Sequence, residues 1–368
     1  MEKFYHCGKI FEEIDKEILM TVCFFGNYIE AYPRIEVMRK GLMKNGVAVI
    51  ECHTRKRGAA KYFDLYRKHR ELKGRYDVML VCMGGQTLVW FAKILCGKKI
   101  VFDAFASLYL TNVEDRKIAK AGSLRAMYYA FWDKFPCQSA DVVLLDTGAQ
   151  IQYFRAKYNL AREKFARVFV GADDQTFFPE KVLEKSGKFV VHWHGHIVPF
   201  HGLEIVIKAA EILQTKAPDI TFEIITRFNS KYERIKSYTD IHKITNIKFI
   251  PEMDYKELAK AINRADITLG IFGNNGKAEV VIPNKIYESL ACAKPVITAR
   301  FGVLGELLTD EKNVILSNPA DSEDLAKKIL WCKDHPAETA SIAQAGFETY
   351  REHLTPEILG QELKRILF

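Results

Sequence analysis

The sequence lacks any long apolar run. Its longest obvious one, Ile18 to Phe25, is strand-sized and far short of the ~20 residues that cross a bilayer, so a membrane-spanning helix is not expected. The opening stretch, MEKFYHCGKIFEEIDKE, carries acids where a secretion signal needs an apolar centre, so secretion is not expected, and a cytoplasmic protein, peripheral at the inner face of the membrane if it meets one, is the expectation. None of the eight cysteines, at 7, 23, 52, 82, 96, 137, 292 and 332, forms a CxxC pair. They sit mostly inside apolar runs and read as reduced, buried thiols. Also missing are a GxxxxGK[ST] phosphate loop, a GxGxxG fingerprint and an Asp-x-Asp pair for a nucleotide-bound cation. A kinase, a simple nicotinamide dehydrogenase and a metal-dependent sugar transferase therefore lose ground.

What is present describes a well-packed globular protein, with 48% hydrophobic and 12% aromatic residues. A chain of 368 residues is too long for one ordinary core and comfortable as two domains. The net charge of +8 is uneven. Residues 1–185 carry 31 Lys and Arg against 22 Asp and Glu, whereas residues 186–368 carry 23 against 24. Much of the excess lies between Arg55 and Arg75, where basic residues alternate with Tyr62, Phe63, Leu65, Tyr66 and Leu72. Such a segment suits an anionic membrane surface, and equally a solvated helix. Nucleic acid is not expected as a partner, since no recognition motif accompanies the charge.

Short runs rich in Val, Ile, Leu and Phe alternate with amphipathic stretches along the whole chain. In the first half the strands are expected at 19–25, 47–52, 77–82, 99–103, 141–145 and 167–170. In the second they are expected at 189–193, 221–225, 248–250, 267–271, 295–298 and 313–316. A polar, charged linker, FPEKVLEKSGK, separates the halves at Phe178 to Lys188. This predicts an α/β protein of two doubly wound, Rossmann-like domains facing each other across a cleft. Ligands of such sheets bind beyond the carboxyl ends of the strands.

The stretch KAEVVIPNKIYESLACAKPVI, Lys277 to Ile297, is the most informative of the chain. Pro283 suits a helix start, which puts Lys285 in the first turn, where the helix dipole disfavours a cation unless an anion joins it. Helical spacing puts Ile286, Leu290 and Ala293 on a buried stripe and Glu288 opposite, placed to bridge vicinal ribose hydroxyls. The plain alternative is a solvated amphipathic helix. Other loops offer Gly26, Asn27 and Arg34 after the first strand, Gly84 to Gln86 after the third, and Asp103 at the end of the fourth. In VHWHGHIVPFHG, alternation puts His192, His194 and His196 on one face of a strand. A metal site there lacks a third ligand and a supporting carboxylate, so His196 and His201 are read as donors to an anion.

With these residues in place, the chain resembles the two-domain (GT-B type) glycosyltransferases, close to family 4 of the retaining sugar-nucleotide enzymes. The resemblance is strongest from Val190 to Tyr350. Gly195 to Gly202 stands where the family has its G-R-L-x-x-x-K-G loop, with His196 and His201 in place of the diphosphate-binding Arg and Lys. That departure shifts the charge to Lys277, Lys285 or Arg227. Of the family's E-x7-E pair only the second member is kept, as Glu288, implying ribose binding. The first would fall at Val280, beside Glu279, and the stretch resembles a branch reading K-A-x-x-V-I-P-N-K, which brings in Asn284. Asp103 matches the position of the family's cleft histidine.

The resemblance thus implies transfer of a sugar from a nucleotide-diphosphate donor to a sugar or lipid-linked acceptor, with retention and without metal or cofactor, in surface polysaccharide or glycolipid assembly. Residues 1–180, with the terminal helix 353–368 packed back, would take the acceptor, and 181–352 the donor. Asp103, Lys277 and Glu279 are the expected catalytic residues. Gly26, Asn27, Arg34, His196, His201, Arg227, Asn284, Lys285 and Glu288 are the expected donor contacts. The rivals are a nucleotide-sugar epimerase of the same fold and a non-catalytic module that binds a membrane or a partner.

Overall fold

A computed structural model describes residues 20–181 and 187–368. Cys7, the first residues of the Ile18 to Phe25 run and the middle of the linker lie outside the described residues.

The first half reads β1 (Met20–Gly26), α1 (Pro33–Lys44), β2 (Val47–His53), α2 (Ala60–Leu72), β3 (Val78–Val81), α3 (Val89–Leu95), β4 (Lys99–Asp103), α4 (Leu124–Ser139), β5 (Val142–Leu145), α5 (Gly148–Tyr158) and β6 (Phe165–Arg167). Its strands form one parallel sheet in the order β2-β1-β3-β4-β5-β6. Both faces of β1 are buried: Val22 and Phe24 point into the core under α1, while Cys23 and Phe25 point into a second core under α2 and α3. A strand covered twice must be apolar throughout, which is why MTVCFFG shows no alternation.

The second half reads β7 (Phe189–His194), α6 (Leu203–Lys216), β8 (Ile220–Thr226), α7 (Ser230–Ile241), β9 (Ile247–Pro251), α8 (Tyr255–Arg264), β10 (Ile267–Leu269), α9 (Asn284–Ala291), β11 (Val296–Ala299), β12 (Ile315–Ser317), α10 (Ser322–Asp334), α11 (Pro336–His353) and α12 (Pro356–Leu367). Its sheet is also six-stranded and parallel, in the order β12-β11-β10-β7-β8-β9. The order reverses beside β7, so the loop after that strand stands at a switch point, where side chains converge.

Helix α12 leaves the second half and packs on α1. Its start is set by Thr355, whose hydroxyl accepts from Ile358 N, and by Pro356 in the first turn. Gly41 and Gly360 let the two backbones touch: a Cβ on Gly360 would stand 2.1 Å from the Gly41 carbonyl. Asn45 Nδ2 donates to Glu357 O, and Lys364 Nζ to Asn45 O, both at 2.8 Å.

Across the gap between the sheets, buried and half-buried polar contacts join the halves. Asp115 Oδ1 accepts from Phe200 N at 2.9 Å and from Asn275 Nδ2 at 2.8 Å. Thr147 Oγ1 donates to Val280 O at 2.6 Å. The Glu306 carboxylate accepts from Gly148 N and Ala149 N at the start of α5, each at 2.8 Å, where the helix dipole favours an anion.

Candidate active site

Between the halves, beyond the carboxyl ends of β5, β7, β8 and β9, lies a cavity of about 590 Å³. Its walls come from the loops that leave those strands and from the start of α9. Here Pro283 is the last extended residue before α9 rather than a helical one. Every residue from Lys285 to Ala291 is buried, Lys285 at 4% and Glu288 at 3% exposure. The solvated-helix reading therefore fails, because α9 presents its polar face to the cleft and its apolar face to the core.

Among the described residues, Lys285 Nζ has no hydrogen-bond partner. It lies 4.0 Å from the centre of the Trp193 ring, and a Cβ on Gly195 would stand 3.2 Å from it. Burial pushes its pKa well below the usual lysine range, and the nearby Glu288 only partly opposes this. A buried, unpartnered ammonium is costly, and an anion in the cavity would satisfy it.

Glu288 is held by an imidazole chain that spacing alone did not reveal. Its Oε2 is 2.7 Å from His194 Nε2, and His194 Nδ1 is 2.9 Å from His192 Nε2. Burial pushes the Glu288 carboxyl up to about 7, with Lys285 opposing, and pushes His194 down to about 3. Both imidazoles are thus neutral at neutral pH. With Glu288 ionised, His194 donates to it and His192 donates to His194, which leaves a lone pair rather than an N–H unpartnered on His192. The first two histidines of VHWHGH therefore orient a carboxylate. Among the described residues, no three His, Cys, Asp or Glu side chains converge as a metal site.

Lys277 Nζ donates to Thr111 Oγ1 at 3.1 Å and lies 4.7 Å from the Phe200 ring centre. Burial brings its pKa down to about 8. His196, Arg227 and Asn284 also line the cavity, Arg227 bonded to Glu252 at 2.8 Å. His201 lines it as well, but its Nδ1 is tied to His196 O at 2.6 Å, and burial holds the ring neutral, so it brings no charge.

Five of the expected site residues do not line this cavity. Arg34 and Asp103 are both fully buried and face each other: Arg34 Nε is 2.9 Å and Nη2 2.8 Å from Asp103 Oδ1, and Arg34 Nη1 donates to Val168 O at 2.8 Å. Neither lines the cavity, because each is the other's counter-ion beneath its floor. Glu279 is exposed and outside the cavity, since the turn at 275–278 swings it to solvent. Gly26 and Asn27 also stand outside; Asn27 Nδ2 donates to Lys56 O.

Among the cavity residues that the sequence did not single out is a buried acid. Asp146 follows β5 as Asp103 ends β4, is almost fully buried, lines the cavity, and leaves Oδ1 without a hydrogen-bond partner among the described residues. Burial raises its pKa to about 7, with Arg34 opposing. The signal was the one that singled out Asp103, an acid closing an apolar strand, one strand further on.

Residues 207–363, which include Lys285 and Glu288, match the family model described as Glycosyl transferase-like. Over 95% of its length the chain superposes on 99% of the structure of Anabaena HepE in complex with UDP and glucose, with a TM-score of 0.74 at 16% identity. The fold is that of the GT-B glycosyltransferases. Sucrose-phosphate synthase from Thermosynechococcus elongatus shares it, with a TM-score of 0.72 at 14% identity over 94% of this chain and 98% of that one. In sequence, 136 residues are 27% identical to an uncharacterized glycosyltransferase of Methanocaldococcus jannaschii, covering 37% of this chain and 36% of that protein. Another 24% identity over 164 residues relates 44% of this chain to 38% of an Arthrobacter D-inositol 3-phosphate glycosyltransferase. The chain thus spans little more than a third of the length of these two relatives. In GT-B terms the cavity is the cleft between the two Rossmann-like units, with α9 on its carboxyl-terminal side and Asp146 on the other.

Proposed function

We propose that the protein transfers a sugar from a nucleotide-diphosphate sugar to an acceptor hydroxyl, with retention at the anomeric carbon and without a metal. The observation that carries this reading is the unpartnered, buried Lys285 one helical turn from the buried Glu288 in a cleft between two sheets. The diphosphate sits against Lys285 and the start of α9, with Lys277 as second cation. Glu288, oriented by His194, accepts hydrogen bonds from the ribose. As the sugar–phosphate bond breaks, negative charge grows on the leaving oxygen, and cations fixed in a water-poor site stabilise it there. Asp146 takes the place foreseen for Asp103 and accepts from hydroxyls of the donor sugar. That Anabaena HepE is seen with UDP supports a uridine nucleotide as the first to try. The basic first half favours an anionic, lipid-linked acceptor, and so a role in surface polysaccharide or glycolipid assembly.

The test is calorimetric titration with UDP, GDP, ADP and their sugar conjugates in the presence of EDTA, on the wild type and Glu288→Ala. One nucleotide should bind without metal, and the substitution should weaken it by roughly tenfold or more. Binding by none of them overturns the reading. Asp146, an acid with a pKa near neutrality on the sugar side, also favours an epimerase. A new sugar nucleotide formed without any acceptor would establish that instead.

A further inference from the structure

Helix α4 is built inside out. Its buried residues are Ala126, Asp133, Pro136 and Cys137, whereas its bulky apolar residues face solvent: Leu124 is 85% exposed, Met127 62%, Tyr128 55% and Phe131 52%. The inward side is fixed by Asp133, whose carboxylate accepts from Ser107 Oγ, Leu108 N, Tyr109 N and Tyr158 OH. Rotating the helix to bury the aromatics would strip four hydrogen bonds from that carboxylate, so the apolar face is held outward. Its rings support one another: Phe131 stacks on Phe135 at 5.2 Å, and Trp132 meets Tyr128 and Phe131 edge to face. The outer sides of α2 and α3, packed in series beside α4, add Phe63 and Ile94, 71% and 72% exposed.

The charge around this face has one sign. Every exposed charge from Arg116 to Lys134 is positive, namely Arg116, Lys117, Lys120, Arg125 and Lys134. The basic segment chosen from the sequence is less free. In α2, the single carboxylate of Asp64 gathers Lys56, Arg67 and Lys68, and Lys61 bonds Thr87.

We propose that α4 docks the protein on an anionic phospholipid surface, its Leu, Met, Tyr and Phe side chains entering the headgroup region and the flanking lysines and arginines meeting lipid phosphates. An amphipathic helix with aromatics on one side and only cations among the exposed charges of residues 116–134 matches that interface in both polarity and charge sign. Arg116, which lines the cavity, begins the exposed loop that leads into α4, so docking would bring the mouth of the cleft to the membrane. The inference goes beyond glycosyl transfer, because lipid binding is measured without donor or turnover.

The experiment is co-sedimentation of the full chain with phosphatidylcholine vesicles with and without phosphatidylglycerol, together with quenching of Trp132 fluorescence by brominated lipid, Trp132→Phe serving as control. Binding is expected only to the anionic vesicles and should weaken with salt. The double variant Tyr128→Ser/Phe131→Ser should lose it by on the order of 100-fold, with the melting temperature unchanged because both side chains are exposed. The proposal is overturned if the wild type stays in solution, or if the double variant binds as well as the wild type. It is equally overturned if the face proves to hold a second copy, seen as a dimer that the variant dissolves and no lipid binding.

Discussion

Replacing Lys285 by methionine should move stability and affinity in opposite directions. In the free protein its Nζ is buried without a hydrogen-bond partner among the described residues, a situation that costs about 1–3 kcal/mol. The Trp193 ring, 4.0 Å away, returns ~0.5–2 kcal/mol of cation–π attraction. Methionine keeps the apolar stem and drops the charge, so the free protein should gain about 1 kcal/mol, read as a rise of ~1–2 °C in melting temperature. A bound diphosphate, by contrast, loses charge-assisted hydrogen bonds of ~1.5–3 kcal/mol, and the nucleotide Kd should rise by roughly 10- to 150-fold. Differential scanning calorimetry of the free protein and isothermal titration of the bound nucleotide give the two numbers. A variant that melts lower and binds as before would refute the reasoning, since Lys285 would then be a structural residue satisfied within the fold.

Glu288 carries the second prediction. Its carboxyl rises from the ordinary 4.5 to about 7, so between those values the folded chain keeps a proton that the unfolded chain has lost. The Glu288 contribution to stability, read as the difference between wild type and Glu288→Gln, should therefore fall as pH rises across that window, whereas nucleotide affinity, which uses the carboxylate, should rise through about 7 in the wild type and not in Glu288→Gln. Asp146→Asn should leave nucleoside-diphosphate affinity in place and remove most of the extra affinity for the sugar conjugate, by roughly tenfold in paired titrations. Arg34→Met, which strands Asp103 in the core, should cost ~3–5 kcal/mol in urea denaturation, and the pair replacement Arg34→Met/Asp103→Leu should recover most of it. Gly360→Ala drives a Cβ into the α1 backbone and should cost ~1–3 kcal/mol by the same assay, without touching the cleft.

The alternation of apolar runs and amphipathic stretches was enough to anticipate two parallel sheets, because strands buried on both faces are apolar end to end, as in MTVCFFG and FVVHWH. Helix α4 was not legible, and the cause is physical: its large side chains face solvent and its small and acidic ones face the core, so no conventional stripe appears. Lys285 was found because a lysine in the first turn of a helix conflicts with the dipole. Glu288 was found by its spacing from the apolar stripe, but its burial was not, since that depends on the opposing half. Asp103 and Asp146 carried the same local signal, an acid after an apolar strand. Only the position of Arg34, some 70 residues away in sequence, decides which becomes a buried counter-ion and which faces the cavity. Pairings of that kind are set by topology and leave no trace in spacing.

The most direct test of the central claim is hydrogen–deuterium exchange of the full chain with and without the nucleotide sugar that binds. Slowed exchange is expected together in the loop at 194–201 and in the segment 277–288, with lesser protection around Asp146. Protection confined to another surface, or none in either segment while nucleotide is bound, would place the site elsewhere and contradict the assignment of this cleft.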